Sequence, residues 1–253
     1  MEVKYDQHFL IDNQVLDIII ENANISDDDI ILEIGPGKGV LTKKLLEKNP
    51  QKLIAVELDG SFEEELRVLE DESFAFHLEI GNGLEKLDKF VYNKLIANIP
   101  YSITEPLYRG LIREKINFAI LLHGIDFYKN IIQRDTKWKY FIPSFFNLEL
   151  LQEVAGDSFN PPTKVNSALV KLEYKQDLSK KDEFFQNLYN KETRNVKNSF
   201  VFAVVDTLGV PKSDIKEFIS SLELSEEILE TLLSQLNNET FCFIVEKILE
   251  KYF

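Results

Sequence analysis

The stretch Ile31-Leu32-Glu33-Ile34-Gly35-Pro36-Gly37-Lys38-Gly39 constrains the fold of this chain more than any other. An apolar run of strand length, Ile30–Ile34, ends in glycines at alternate positions, and a helical pattern, Val40–Glu47, follows at once. Glycines at such a turn let the backbone come close to a ligand, and the helix N-terminus offers unpaired N–H groups. Further strand-like runs follow at Leu53–Glu57, Phe74–Ile80, Lys94–Asn98 and Phe118–His123. Helical patterns at Phe62–Leu69 and Glu105–Arg113 lie between several of them. A first helix is predicted to begin after Asp12-Asn13, with Val15, Ile18, Ile19 and Ala23 on one face. Strands alternating with helices predict an α/β protein with a doubly wound parallel sheet. Phe145–Val154 and Ala168–Tyr174 are expected to complete the sheet as an antiparallel pair.

The pattern changes at the polar segment Gln176–Lys181. From Phe184 onward apolar residues recur at helical spacing without convincing strands: Phe184, Phe185 and Leu188; Ile228, Leu229, Leu232 and Leu233; Phe243, Ile244, Ile248 and Leu249. The predicted division is therefore an α/β domain over residues 1–176 and a small all-helical domain over 177–253. A chain of 253 residues suffices for both. No apolar stretch is long enough to span a membrane, and Met1–Asp6 lacks the basic-then-apolar form of a signal peptide. The lone cysteine, Cys242, excludes an internal disulfide and any cysteine-based metal cluster. A cytoplasmic location is expected. The net charge of −14 argues against tight binding to a large naked RNA but leaves room for a local basic groove.

The glycine turn departs from the dinucleotide fingerprint, whose third glycine falls three residues after the second. Here Gly39 comes two after Gly37, and position 40 is Val, a spacing that favours S-adenosylmethionine over a nicotinamide. Glu57 ends the second sheet strand, where a carboxylate can take ribose hydroxyls. Gly81-Asn82-Gly83 ends the third, where Asn82 either meets an adenine ring or forms a type I′ turn. Asn98-Ile99-Pro100-Tyr101 follows the apolar run Lys94–Ala97. The Asn98 side-chain oxygen and the Pro100 carbonyl are two nearby acceptors for the hydrogens of an amine, and Tyr101 gives a face for a heteroaromatic ring. In this order the pieces describe methyl transfer to an amino nitrogen, a reaction that needs neither a metal nor a strong general base.

With Gln7-His8-Phe9-Leu10 these motifs resemble the small-subunit rRNA adenine N6-dimethyltransferase family over nearly the whole chain. Glu33–Gly39 matches its cofactor turn and Val56–Asp59 its Val-Glu-x-Asp. Asn98–Leu107 matches its Asn-Leu/Ile-Pro-Tyr element, and Phe159–Ala168 its Phe-x-Pro-Pro-x-Lys-Val-x-Ser-Ala. The resemblance implies a seven-stranded, Rossmann-like methyltransferase domain with a helical C-terminal domain, and small-subunit ribosomal RNA or its assembly particle as partner. It further implies that the His8 side chain and Leu10 backbone close over the methionine part of the cofactor. Gly35 and Gly37 would contact it at the turn, Glu57 the ribose and Asn82 the adenine, with Asn98 between cofactor and target. Lys164, Lys191, Arg194 and Lys197 are candidate RNA contacts; for the last three, at roughly helical spacing, a solvated helical face is the alternative.

Three segments depart from the family pattern. Gly81-Asn82-Gly83 stands where the family has Gly-Asp-Ala, which predicts weaker cofactor binding because charge-assisted hydrogen bonds are the stronger ones. Leu122–Asp126 replaces a Gln-Lys-Glu stretch, and Arg134–Phe141 a basic, glycine-containing loop. Trp138, Tyr140 and Phe141 in that loop would either stack bases or pack in a core. His77 and His123 lack a ligand pattern and are expected to be structural. The altered loops and the acidic charge keep one alternative open, methylation of a different amine in a protein or small molecule; a second, a non-catalytic RNA- or assembly-binding role, is opposed by the intact Asn98–Tyr101.

Overall fold

The computed structural model describes residues 8–253; Gln7 and the Met1–Asp6 segment lie outside the described residues. In chain order the first elements are β1 (Phe9–Leu10), α1 (Asn13–Ala23), β2 (Ile30–Ile34), α2 (Val40–Leu46), β3 (Lys52–Glu57), α3 (Glu63–Glu72) and β4 (Phe76–Ile80). There follow β5 (Lys94–Asn98), α4 (Thr104–Glu114), β6 (Phe118–Gly124), α5 (Ile125–Ile132), α6 (Trp138–Phe145), β7 (Phe146–Val154), β8 (Phe159–Asn160) and β9 (Ser167–Tyr174). The chain ends in α7 (Lys180–Tyr189), α8 (Val196–Leu208), α9 (Lys212–Ser221), α10 (Glu226–Glu230) and α11 (Asn238–Tyr252).

These elements form two compact units: one ends at Tyr128 and resumes over Asn147–Tyr174, the other comprises Lys129–Phe146 and Lys175–Phe253. In the first, seven strands take the order β4-β3-β2-β5-β6-β9-β7. The pairs β4–β3, β3–β2, β2–β5 and β5–β6 are parallel, whereas β9 runs antiparallel to β6. The central strands are buried on both faces, as parallel strands require. Ile31, Leu53, Ala55, Ile96 and Ile120 share one apolar cluster with Val15, Leu16 and Ile19 of α1 and with Leu45 and Leu66. The alternate residues Leu32, Ile54, Val56, Leu95 and Leu121 are buried as well. Asp12 starts α1 by accepting the Gln14 N–H at 2.9 Å, as an N-cap residue does.

Strand order reverses between β2 and β5: from β2 the chain moves outward to β3 and β4, then returns to the other side of β2. The crossover connections leave from the carboxyl ends of β2 and β5 in opposite directions, opening a crevice there, the usual ligand site of such sheets. A separate two-stranded pair, β1 with β8, sets Phe9 opposite Asn160 and Leu10 opposite Phe159. No helix of the described residues is long and apolar enough to cross a membrane.

The second unit is helical around its own aromatic core, with Phe184, Phe200 and Phe241 fully buried. Lys129–Phe146, placed by the sequence division with the first domain, belongs to this unit. Its aromatic residues are the reason: Phe141 lies 5.4 Å from Phe241 and Tyr140 5.1 Å from Phe185, ring centre to ring centre. Trp138, Tyr140 and Phe141 are thus packing residues. Lys191 and Arg194 lie in the turn between α7 and α8, and only Lys197 is helical. Asn195 starts α8 as its cap, accepting the Asn198 N–H at 2.9 Å, so the expected continuous helical face is interrupted.

Candidate active site

A cavity of about 470 Å³ occupies the crevice. His8, Gly35, Gly37, Glu57, Asn82, Asn98, Pro100 and Tyr101 all line it. Leu10 does not: its side chain is core, beside a neighbouring cavity of about 40 Å³.

The turn after β2 places its backbone as the spacing required. Gly35, Gly37 and Gly39 have φ of 71°, 53° and 72°, a region open chiefly to glycine. A Cβ on Gly37 would also stand 2.8 Å from the Phe9 ring. The Gly37 N–H donates to Glu57 Oε2 at 2.9 Å, and the Asp59 N–H donates to Oε1 at 2.8 Å. The Glu57 carboxylate is thereby fixed, with a lone pair left on each oxygen for hydroxyl groups. Burial raises its pKa and the Asp59 charge adds to this, while hydrogen bonds from the Asp59, Gly37 and Leu58 backbone oppose it.

Asn82 has φ −80° and ψ 113°, which excludes a type I′ turn. Its side chain is locally engaged: Oδ1 accepts the Leu84 N–H at 3.1 Å and Nδ2 donates to Glu85 Oε1 at 3.0 Å. Gly83 packs against Ile34, whose Cγ2 would meet a Cβ there at 2.6 Å.

Asn98 ends β5, and the Ile99 N–H donates to the Leu122 carbonyl at 3.0 Å. Asn98 Nδ2 donates to the His8 carbonyl at 3.2 Å, which leaves Oδ1 as the acceptor offered to the cavity. The Pro100 carbonyl accepts the Ile103 N–H at 3.1 Å and keeps its second lone pair. Tyr101 lies with its hydroxyl 2.7 Å from Ser167 Oγ. His8 Nδ1 stands 2.8 Å from the Pro161 carbonyl, which can only accept, so Nδ1 donates to it.

None of the candidate RNA contacts is among the residues that line the cavity. Lys164 is exposed in the loop before β9. Lys191 Nζ is 3.8 Å from Asp206, and the Arg194 guanidinium sits 4.8 Å over the Phe202 ring. His77 meets Glu70 at 3.1 Å, and His123 is fully buried against Tyr108. Among the described residues no group of three or more His, Cys, Asp or Glu could hold a metal ion. Sequence reasoning assigned no role to Phe9, Leu58, Ser102, Ile103 or Phe159, which also line the cavity. The one signal for each was its place inside a matched motif: Phe9 in Gln7–Leu10, Leu58 in Val56–Asp59, Ser102 and Ile103 in Asn98–Leu107, and Phe159 in Phe159–Ala168.

The glycine turn, the fixed Glu57 carboxylate and the crevice at the strand reversal suit a nucleoside with a cationic side arm. Fold and site together define an S-adenosylmethionine-dependent methyltransferase of Rossmann-like architecture. The sequence pattern described as Ribosomal RNA adenine dimethylase matches residues 1–217, and the chain belongs to that family. A relative from Methanopyrus kandleri, "Probable ribosomal RNA small subunit methyltransferase A", is 30% identical over 92% of this chain and 84% of its own. A "Ribosomal RNA small subunit methyltransferase A" from Fusobacterium nucleatum is 32% identical over 88% of this chain and 89% of its own. A solved dimethyladenosine transferase from Plasmodium falciparum superposes with a TM-score of 0.64 at 26% identity, covering 96% of this chain and 98% of its own. The 23S rRNA methyltransferase ErmE shares the fold, with a TM-score of 0.62 at 17% identity over 94% of this chain and 98% of its own.

Proposed function

We propose that the protein transfers methyl groups to N6 of adenosines in small-subunit ribosomal RNA, giving N6,N6-dimethyladenosine, free or within an assembly particle. The observation that carries this is the Asn98 side chain. Its amide nitrogen donates to the His8 carbonyl, and the residue lines the cavity with Pro100 and Tyr101, which supports Oδ1 as the acceptor for the amine. An exocyclic adenine amine is a weak nucleophile because its lone pair is delocalised into the ring. Asn98 Oδ1 and the free lone pair of the Pro100 carbonyl accept its hydrogens and favour the tetrahedral nitrogen. Tyr101 stacks on the extruded base. S-adenosylmethionine supplies the electrophilic methyl group. Glu57 takes the ribose hydroxyls, Gly35 and Gly37 admit the ligand to the backbone, and the His8 imidazole covers the methionine end. Most of the rate comes from positioning and from acceptors aimed at developing charge. Lys164, Lys191, Arg194 and Lys197 contribute phosphate contacts.

Asn98→Ala tests the role directly. Methyl transfer to small-subunit RNA falls at least about 100-fold, the scale of losing one oriented partner of the transition state. Calorimetric affinity for S-adenosylmethionine stays within about threefold of the parent protein, since other residues hold the cofactor. Undiminished transfer by Asn98→Ala refutes the assignment.

A further inference from the structure

Tyr101 is half-exposed, yet it is held at two points by residues outside the cavity wall. Its hydroxyl lies 2.7 Å from Oγ of Ser167, a residue buried completely at the start of β9. The second point is Gly124, the last residue of β6. A Cβ built there would lie 3.2, 3.3 and 3.4 Å from Tyr101 Cγ, Cδ2 and Cδ1. Near-equal distances to these three atoms put that point over the face of the ring, not at its edge. The bare Gly124 backbone therefore backs one face of Tyr101, and a side chain would push the ring away.

Both supports come from one register position. Gly124 and Ser167 are paired where β6 meets β9 antiparallel, and the Ile125 N–H donates to the Asn166 carbonyl at 3.0 Å just beyond. Beneath them His123 and Tyr108 are both fully buried. His123 Nδ1 lies 3.1 Å from the Gly124 carbonyl, which can only accept, so Nδ1 carries the proton. Nε2 then accepts from the Tyr108 hydroxyl at 2.9 Å. Burial lowers the His123 pKa to about 4, so this arrangement is neutral and constant through physiological pH.

We propose that Ser167 and Gly124 are positioning residues that hold Tyr101 as a fixed wall with one ring face open to the substrate base. The proposal rests on the reading of Tyr101 as the stacking surface. A tyrosine free to rotate would stack in several orientations, and small displacements of a reacting group are costly in rate. Fixing the ring by its hydroxyl and its covered face leaves a single plane against which the amine meets Asn98.

The test is a double-mutant cycle with Tyr101→Phe and Ser167→Ala, assayed for methyl transfer to small-subunit RNA and for S-adenosylmethionine binding by calorimetry. Each single variant is expected to lower kcat roughly five- to tenfold, the worth of one hydrogen bond, with cofactor affinity unchanged. The double variant is expected to be no slower than either single one, because Ser167 acts only through the Tyr101 hydroxyl. Gly124→Ala is expected to lower kcat further and to raise KM for RNA. Multiplicative losses in the double variant, or a Ser167→Ala enzyme at the parent rate, overturn the proposal. Tyr101→Phe probes the same bond from the exposed side should Ser167→Ala fail to fold. Tyr101→Ala separates the two readings. If it keeps full activity, the stacking role itself is wrong. If it is inactive while Ser167→Ala and Gly124→Ala are not impaired, the positioning alone is wrong.

Discussion

Glu33 lies directly beneath the glycine turn, fully buried, with Oε2 unpartnered among the described residues. Burial pushes its pKa up to about 8; the Thr42 hydroxyl, near but outside hydrogen-bond geometry, offsets part of this, and the Glu57 charge adds to it. Below the ordinary carboxylate range both folded and unfolded chains hold the proton, and the group is neutral to stability. Between that range and about pH 8 the unfolded chain releases it while the folded one keeps it, so stability falls as pH rises. Glu33→Gln removes the penalty. Its melting temperature is expected to exceed that of the parent by several degrees more at pH 8 than at pH 5, whereas an equal offset at both would contradict the assignment. Asn82 gives the second prediction. From sequence alone Asn82→Asp restores a charged acceptor and tightens cofactor binding. With Glu85 Oε1 3.0 Å from the Asn82 amide, the added carboxylate would face another. Calorimetry should therefore show tightening, roughly threefold or more, only when Asn82→Asp is combined with Glu85→Gln.

The parallel strands were legible because residues buried on both faces leave unbroken apolar runs such as Ile30–Ile34, which coincides with β2. The two-residue strands β1 and β8 were not, since periodicity cannot register in elements so short. Nor could helical spacing reveal that Asn195 begins a new helix after Arg194. Of the site, the residues at strand ends could be read, because chemistry and position coincide there. Phe9, Leu58 and Gly124 could not, since their roles arise from what packs beside them. Lys94 shows how far an element's hold extends beyond its strand. At the start of β5, Nζ reaches Asp29 at 2.7 Å and the Ala23 and Asn24 carbonyls at 2.8 Å, binding the end of α1 to the sheet. Asp29 is only 3% exposed. Lys94→Met leaves that charge buried and is expected to cost about 3 kcal/mol in urea unfolding. Lys52→Met, at the exposed start of β3, should cost less than about 0.5 kcal/mol.

The cavity and every residue assigned to chemistry belong to the first unit, while Lys191, Arg194 and Lys197 belong to the second. The net charge of −14 is thus a property of the whole chain and not of the cavity, whose lining includes neither lysine nor arginine. Glu57 is the one carboxylate in that lining. The family and the site agree on amine methylation; the acidic total bears on how the RNA is engaged. Mass spectrometry after incubating the purified protein with S-adenosylmethionine and unmethylated small-subunit RNA or particles is the most direct test. N6,N6-dimethyladenosine should accumulate with the parent protein and be absent with Asn98→Ala. Unmodified adenosine in the presence of parent protein that demonstrably binds S-adenosylmethionine would contradict the account.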